Sequence, residues 1–273
     1  MVATVGRVDE LGRFLDSVAA QEHPRVRVLV VDQNGDDRLA PLLAREDLNL
    51  VRVRSPRGLS RARNAALPAL RADLVAFPDD DCVYPPGLLA RVASRFEADI
   101  GLDGLTGRAE DDSGVSAASW KRDAAVLTDG NLWNRAISFA IFLRRALVER
   151  IGPFDERLGL GSGEPWSSGE EIDYLIRAIR LGARIEYDPE LVVRHEVRRD
   201  DAAIGLRDGA SVGYLLRKHR YPARTIARML VRPAGGVALA LARRERRRAA
   251  FHAAALRGRV RGYLGARVSK SSA

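Results

Sequence analysis

At 273 residues the chain can bury a substantial core, enough for one α/β domain with or without an appendage. A single cysteine, Cys82, excludes an intramolecular disulfide framework and suits a reducing compartment. The net charge of +9 is concentrated: between Arg217 and Arg267 fifteen Lys and Arg face one acid, Glu245, so the remainder is net acidic and does not read as a nucleic-acid-binding core.

In chain order, residues 2–5 read as a short strand, followed by Leu11, Phe14, Leu15 and Val18 at helical spacing with Asp9 placed to cap them. A β-branched run at 26–31 ends in Asp32 and the turn Gln33-Asn34-Gly35. Helices at 37–45, 59–70 and 86–96 then alternate with strands at 50–54 and 74–77, which predicts a parallel, right-handed, doubly wound sheet. Ligands of such sheets sit beyond the carboxyl ends of the strands, where Asp32 and the acidic run Asp79-Asp80-Asp81 both fall.

Three adjacent carboxylates after an apolar strand repel one another, so a cation is expected beside them. Carboxylate oxygens suit Mg²⁺ or Mn²⁺, which complete their coordination with substrate phosphates. The simpler alternative is a solvated turn in which Asp80 or Asp81 caps the next helix. Cys82 is conceivable as a ligand, but a lone Cys after a strand is more often a small buried residue.

Gly58 opens a helix whose first turns carry Arg61 and Arg63, after Arg57. Cations there oppose the helix dipole, and an anionic ligand such as a diphosphate relieves that cost; solvent-facing arginines are the alternative. Residues 101–107 read as a strand, 109–135 as weakly periodic loops around an acceptor, 138–143 as a strand and 145–151 as a short helix closed by Gly152-Pro153. A glycine-rich loop from Gly159 then enters a helix with Ile172, Leu175, Ile176 and Ile179 on one face, which clusters Glu170, Glu171 and Asp173 at its start. A capping box of Ser168 and Glu171, with the preference of acids for a helix start, is one reading, though capping alone explains one Glu and not the whole cluster; a catalytic base is the other.

Residues 191–194 read as a strand ending in His195, a third metal ligand if a metal lies nearby. Beyond it, Arg224, Arg228 and Arg232 form a helical stripe, the stretch from Pro233 to Gly236 breaks that helix, and a second helix carries the cluster from Arg243 to Arg248. Basic amphipathic helices suit an anionic membrane surface. Nucleic acid is not expected, because only Phe251 and Tyr263 offer stacking among the cations; a merely solvated basic face is the other alternative. No basic-then-apolar leader opens the sequence and no run approaches the ~18 apolar residues of a bilayer span.

Six stretches occur in the order and approximate spacing of family 2 glycosyltransferases, and residues 2–195 resemble that family: Val30-Val31-Asp32-Gln33-Asn34, Gly58-Leu59-Ser60-Arg61-Ala62-Arg63-Asn64, Phe77-Pro78-Asp79-Asp80-Asp81-Cys82, Phe154-Asp155-Glu156, Ser168-Gly169-Glu170-Glu171 and Val193-Arg194-His195. The resemblance implies a GT-A fold, Rossmann-like with a mostly parallel sheet, over residues 1–200, donor half before about residue 100 and acceptor half after, with a basic helical extension at 201–273. It implies inverting transfer from a nucleotide-sugar, with UDP, dTDP and GDP all open; taken with the basic tail, the expectation is a metal-dependent enzyme at the cytoplasmic face of the plasma membrane with a lipid-linked or cell-envelope glycan as acceptor. By the same resemblance Thr4, Arg7, Asp80 and Asp32 lie against the nucleotide, Asp32 at the base; Arg63 meets the base or diphosphate; and Asp79 meets the ribose. Asp81 and His195 bind Mn²⁺ or Mg²⁺, and Glu170 and Glu171 provide the base.

Two departures stand out. Glu171 occupies a position where the family usually has Asp, and the chain enters its first strand at once, at Val2, where the family commonly has a few residues before it. A nucleotidyltransferase shares carboxylates, metal and a similar sheet, but needs an early glycine-rich phosphate loop with a lysine, which the first turn lacks. A relative that binds glycan or membrane without turnover is the non-enzyme rival, and loss of activity in Asp81→Ala discriminates against it.

Overall fold

The computed structural model describes residues 1–21, 25–116, 119–196 and 201–265. Its described residues form two compact units, one within 1–154 and 174–196 and one within 155–173 and 201–265.

The first unit opens with β1 (Val2–Thr4), α1 (Val8–Ala19), β2 (Arg27–Asp32), α2 (Ala40–Leu43), β3 (Asn49–Arg54) and α3 (Leu59–Ala66). Strands β1, β2 and β3 pair in parallel, with Thr4 opposite Asp32 and Asp32 opposite Arg54. This is the alternating pattern of the sequence. Helix α1 nevertheless starts at Val8, and Asp9 sits inside it rather than capping it.

Next come β4 (Leu74–Ala76), β5 (Cys82–Val83), α4 (Leu88–Ala98), β6 (Gly104–Glu110), β7 (Ala125–Val126), β8 (Ile141–Arg144), α5 (Arg145–Ile151), α6 (Glu170–Arg180) and β9 (Ile185–His195). The second sheet runs β4-β8-β6-β9-β5, with β7 on β9. Only β6 and β9 pair in parallel; the other pairings are antiparallel. For β6 and β8 the reason lies in the connection: among the described residues it holds no α-helix, only short 3₁₀ turns, and a parallel return usually needs a helical crossover. Residues 138–140, expected as strand, form a single 3₁₀ turn, and β8 begins after it.

Buried Leu11, Phe14, Leu15 and Val18 of α1 and Leu88, Val92 and Phe96 of α4 share one core with Val28, Val30, Leu105 and Phe142. Burying an aliphatic or aromatic side chain of this size contributes about 1.5–3 kcal/mol, so this core fixes the strand ends that carry the site. A lone parallel bridge between Ala3 and Asp79 sets the acidic run beside β1.

The second unit contains α7 (Ala202–Lys218), α8 (Ala223–Ala242) and α9 (Arg246–Gly265). Asp201 caps α7, accepting from the Ala203 N–H at 2.8 Å. Helices α7 and α9 run parallel at backbone contact. A Cβ on Gly209 would lie 2.3 Å from the Ala255 carbonyl oxygen, one on Gly213 2.0 Å from that of Arg259, and one on Gly262 1.9 Å from that of Ala210. Small residues four apart permit such an approach, and larger ones forbid it.

Pro233 does not end a helix as the sequence suggests. Its ring is buried, and α8 runs unbroken through it. With the helix continuous, α8 is long and apolar enough by length and composition to cross a membrane.

Candidate donor and metal site

The acidic run is shaped by a turn. The Cys82 N–H reaches the Asp79 carbonyl at 3.4 Å, and Cys82 then pairs with His195 across β5 and β9. That pairing brings an imidazole 114 residues away onto Asp81, with Nε2 3.1 Å from Oδ1. Asp79, Asp81 and His195 each offer a ligand atom, all within 4.8 Å of one another. Phe139 stacks on the His195 ring at 4.6 Å and 8°, which fixes its plane.

Two carboxylates and an imidazole fit Mn²⁺, and their hard oxygens also suit Mg²⁺. Sequence reasoning placed Asp81 and His195 in such a set and gave Asp79 to a ribose; the geometry adds Asp79 to the group. Neither Asp80 nor Asp81 caps a helix, since Gly87 precedes α4 with no side-chain cap. Cys82 is fully buried, and burial, with Asp79 next, pushes its thiol up, so it behaves as the small core residue.

Part of the expected countercharge comes from the chain itself. Arg7 Nη1 donates to Asp80 Oδ1 at 2.9 Å and to Asp81 Oδ2 at 2.6 Å. Burial pushes the Asp80 carboxyl up despite that contact. For Asp81, burial also acts upward, but His195 and Arg7 outweigh it and bring the carboxyl down to about 2. Thr4 is buried at the end of β1, one strand from Asp32.

Asp32 is fully buried. It accepts from Arg52 Nη2 at 2.6 Å and Nε at 2.8 Å, and from the backbone N–H and side-chain amide of Asn34 at 2.9 and 2.8 Å. Burial raises its pKa, yet these donors and Arg54 hold it below the usual carboxylate range. The adjoining loop knits three strand ends together: Gly6 N–H donates to Asn34 Oδ1 at 2.7 Å and Gly58 N–H to Gln33 Oε1 at 2.8 Å. Gly58 needs its freedom, because its φ of 129° is poorly open to other residues.

Arg63 is 2% exposed, which rules out the solvent-facing alternative for it, whereas Arg57 and Arg61 are exposed as that alternative has them. Its guanidinium lies 5.8 Å from the Phe77 ring centroid and 5.3 Å from that of Phe154, with Nη2 3.7 Å from Asp79. Asn64 exchanges two hydrogen bonds with the Phe154 backbone, at 3.0 and 2.7 Å, and so links the second and fourth sequence stretches. Phe139 and Ser138, whose hydroxyl lies 3.3 Å from Asp79, carried no signal in the sequence.

Glu170 and Glu171 open α6, whose residues up to Asp173 belong to the second unit and the rest to the first; Glu170 is buried and Glu171 half-buried. Asp173 in the same turn is fully buried between Lys218 Nζ at 2.6 Å and His219 Nε2 at 2.7 Å. Lys218 also reaches Asp155 at 2.8 Å, so Asp173 belongs to an ion-pair network. The Ser168 hydroxyl lies 2.9 Å from Asp208 and 2.8 Å from Ser211, both on α7.

Residues 1–151 match the family model described as Glycosyl transferase family 2. The chain belongs to that family. It is 28% identical over 190 residues to the pre-mycofactocin glycosyltransferase of Mycobacterium tuberculosis, covering 63% of this chain and 38% of that protein. It is 26% identical over 225 residues to the succinoglycan biosynthesis protein ExoO of Rhizobium meliloti, covering 76% and 62%. The chain thus spans less than two thirds of the length of these curated relatives.

Among solved structures, the mannosyltransferase PcManGT from Pyrobaculum calidifontis, in complex with GDP-Man and Mn²⁺, aligns with a TM-score of 0.68 at 20% identity over 96% of this chain and 85% of its own. TarS residues 1–349 from S. aureus, in complex with UDP-GlcNAc, align at 0.59 and 22% identity over 78% and 63%. The family 2 chain accordingly has the GT-A fold.

Proposed function

We propose that the protein is an inverting glycosyltransferase that moves a sugar from a nucleoside-diphosphate sugar to a hydroxyl of a lipid-linked or cell-envelope glycan. The observation that carries this reading is the convergence of Asp79, Asp81 and His195 beside β1, next to the buried Arg63. Family membership and the nucleotide-sugar complexes of the two solved relatives support it.

In this reading Asp32, Thr4 and Arg7 receive the nucleoside and Asp80 holds Arg7 in place. Arg63, fixed by its aromatic neighbours, directs positive charge at the diphosphate. Asp79, Asp81 and His195 hold Mn²⁺ or Mg²⁺, which when bound offsets the negative charge of the departing diphosphate. Glu171 or Glu170 takes the proton of the acceptor hydroxyl. The hydroxyl oxygen bonds to the anomeric carbon on the face opposite the diphosphate as the carbon–oxygen bond to phosphate breaks, and the configuration inverts. The basic segment at 201–273 attaches the enzyme to the anionic cytoplasmic face of the membrane.

Calorimetric titration of UDP, dTDP and GDP, each with and without Mn²⁺, tests the donor side on wild type and Asp81→Ala. The expected result is metal-dependent binding of one nucleotide, reduced at least about a hundredfold in the variant. Binding of none of the three by the wild type would sink the reading, and undiminished binding by Asp81→Ala would sink the metal assignment.

A further inference from the structure

We infer that the outward face of α8, over residues 231–242, is a lipid-contacting surface that lies flat in the headgroup layer of an anionic bilayer. The inference rests on the membrane reading above and assigns it to one helix face.

Helix α8 has two unlike sides. Met229, Pro233 and Ala240 are buried. The opposite side exposes Val231 at 67% and, at its flanks, Leu239 at 52% and Leu241 at 59%, with exposed Ala234, Gly235, Ala238 and Ala242 between them. No charged residue occurs from Pro233 to Ala242. A helix face turned to water ordinarily carries charge, so an uncharged face with exposed leucines points to a non-aqueous neighbour.

The charges stand at the two ends instead. Arg224, Arg228 and Arg232 precede the uncharged stretch and Arg243, Arg244, Arg246, Arg247 and Arg248 follow it, all exposed. The one acid among them, Glu245, is paired with Arg248 at 3.2 Å. Phosphate-bearing headgroups complement such a pattern. The face also consists largely of Ala and Gly, which offer a protein partner few anchors, whereas lipid needs none.

The same numbers argue against crossing. A twenty-residue helix is about 30 Å long, but ten uncharged residues span only about 15 Å, half of a hydrocarbon core. Three guanidiniums occupy the other half. The buried side is committed to α9 besides: a Cβ on Gly236 would lie 2.7 Å from the His252 ring, and Arg259 Nη1 donates to the Met229 carbonyl. Lying flat sets the apolar face at the acyl boundary and lets both arginine clusters reach phosphate depth along their own stems.

The test uses the full chain and co-sedimentation with vesicles of phosphatidylcholine alone or with about one third phosphatidylglycerol, with circular dichroism as the fold control. Wild type is expected to bind only the anionic vesicles. The double variant Ala238→Glu, Leu239→Glu, whose side chains point to solvent, is expected to bind at least about tenfold less with unchanged helix content. A second variant, Ala238→Trp, is expected to shift its emission to the blue on binding. Wild-type binding that both glutamates leave intact overturns this inference alone and leaves the membrane reading standing. Failure of wild type to bind overturns both. Self-association that the glutamates abolish while vesicle binding persists assigns the face to a second copy and also overturns it. Nucleotide binding is read separately and is unaffected by these substitutions.

Discussion

Both units gather acids and cations, but to opposite ends. In the first, the Asp79, Asp81 and His195 side chains keep 30%, 21% and 24% exposure and converge on a common point. In the second, Asp173 is completely enclosed, with Lys218 and His219 within 2.7 Å. A cluster that keeps access to solvent can still exchange it for ligand, whereas an enclosed and neutralised one is committed to holding the chain together. The strongest acidic signals in the sequence therefore have different meanings, and substitutions should separate them: site residues lose binding, network residues lose stability.

The largest expected effect on stability is that of Asp173→Ala. Removing the carboxylate takes the acceptor facing His219, whose side chain is only 7% exposed, and leaves Lys218 to Asp155; breaking a buried pair in this way costs about 3–5 kcal/mol. Urea denaturation should show the midpoint fall accordingly. An unchanged midpoint would mean that Asp173 is not structural and would return it to the acids available for chemistry.

A smaller loss is expected from Gly213→Val. The added Cβ meets the Arg259 carbonyl and the Tyr263 N–H, at 2.0 and 2.7 Å, so α7 and α9 must move apart. Overpacking of this kind costs about 1–3 kcal/mol, and because the obstruction is backbone the upper end applies. Gly235→Ala, where a Cβ meets nothing within 4 Å, is the matched control and should not destabilise.

The first unit was the more legible. Val28, Val30 and Val31 announced β2, and the spacing of Leu11, Phe14, Leu15 and Val18 announced α1, because local periodicity and burial agree there. That Asp79 stands with Asp81 and His195 was not legible, because three consecutive aspartates look alike in sequence; only the turn and the pairing of Cys82 with His195 decide which of them converge. The early half of β9 was missed because Asp188-Pro189 reads as a turn, yet the register with β6 shifts between Thr106 and Arg108, and that irregularity admits a proline. Pro233 misled in the same way: tertiary packing of α8 overrode a local breaker, and the length of that helix followed from it.

The finest test concerns Arg7, which lies between the two kinds of charge. It pairs with both Asp80 and Asp81, yet its side chain is 39% exposed, and pairs of that exposure contribute less than about 1 kcal/mol to folding. Arg7→Gln should therefore leave the denaturation midpoint almost unmoved. Its effect belongs to binding, because the guanidinium occupies an Asp81 oxygen that a cation would otherwise share. Titration of Mn²⁺ alone should show the variant binding it several-fold more tightly than wild type, while the metal-dependent nucleotide affinity falls. Weaker Mn²⁺ binding in Arg7→Gln would mean that the arginine orients the carboxylates rather than competing for them, and a large loss of stability would place Asp80 and Asp81 with the enclosed networks of the second unit.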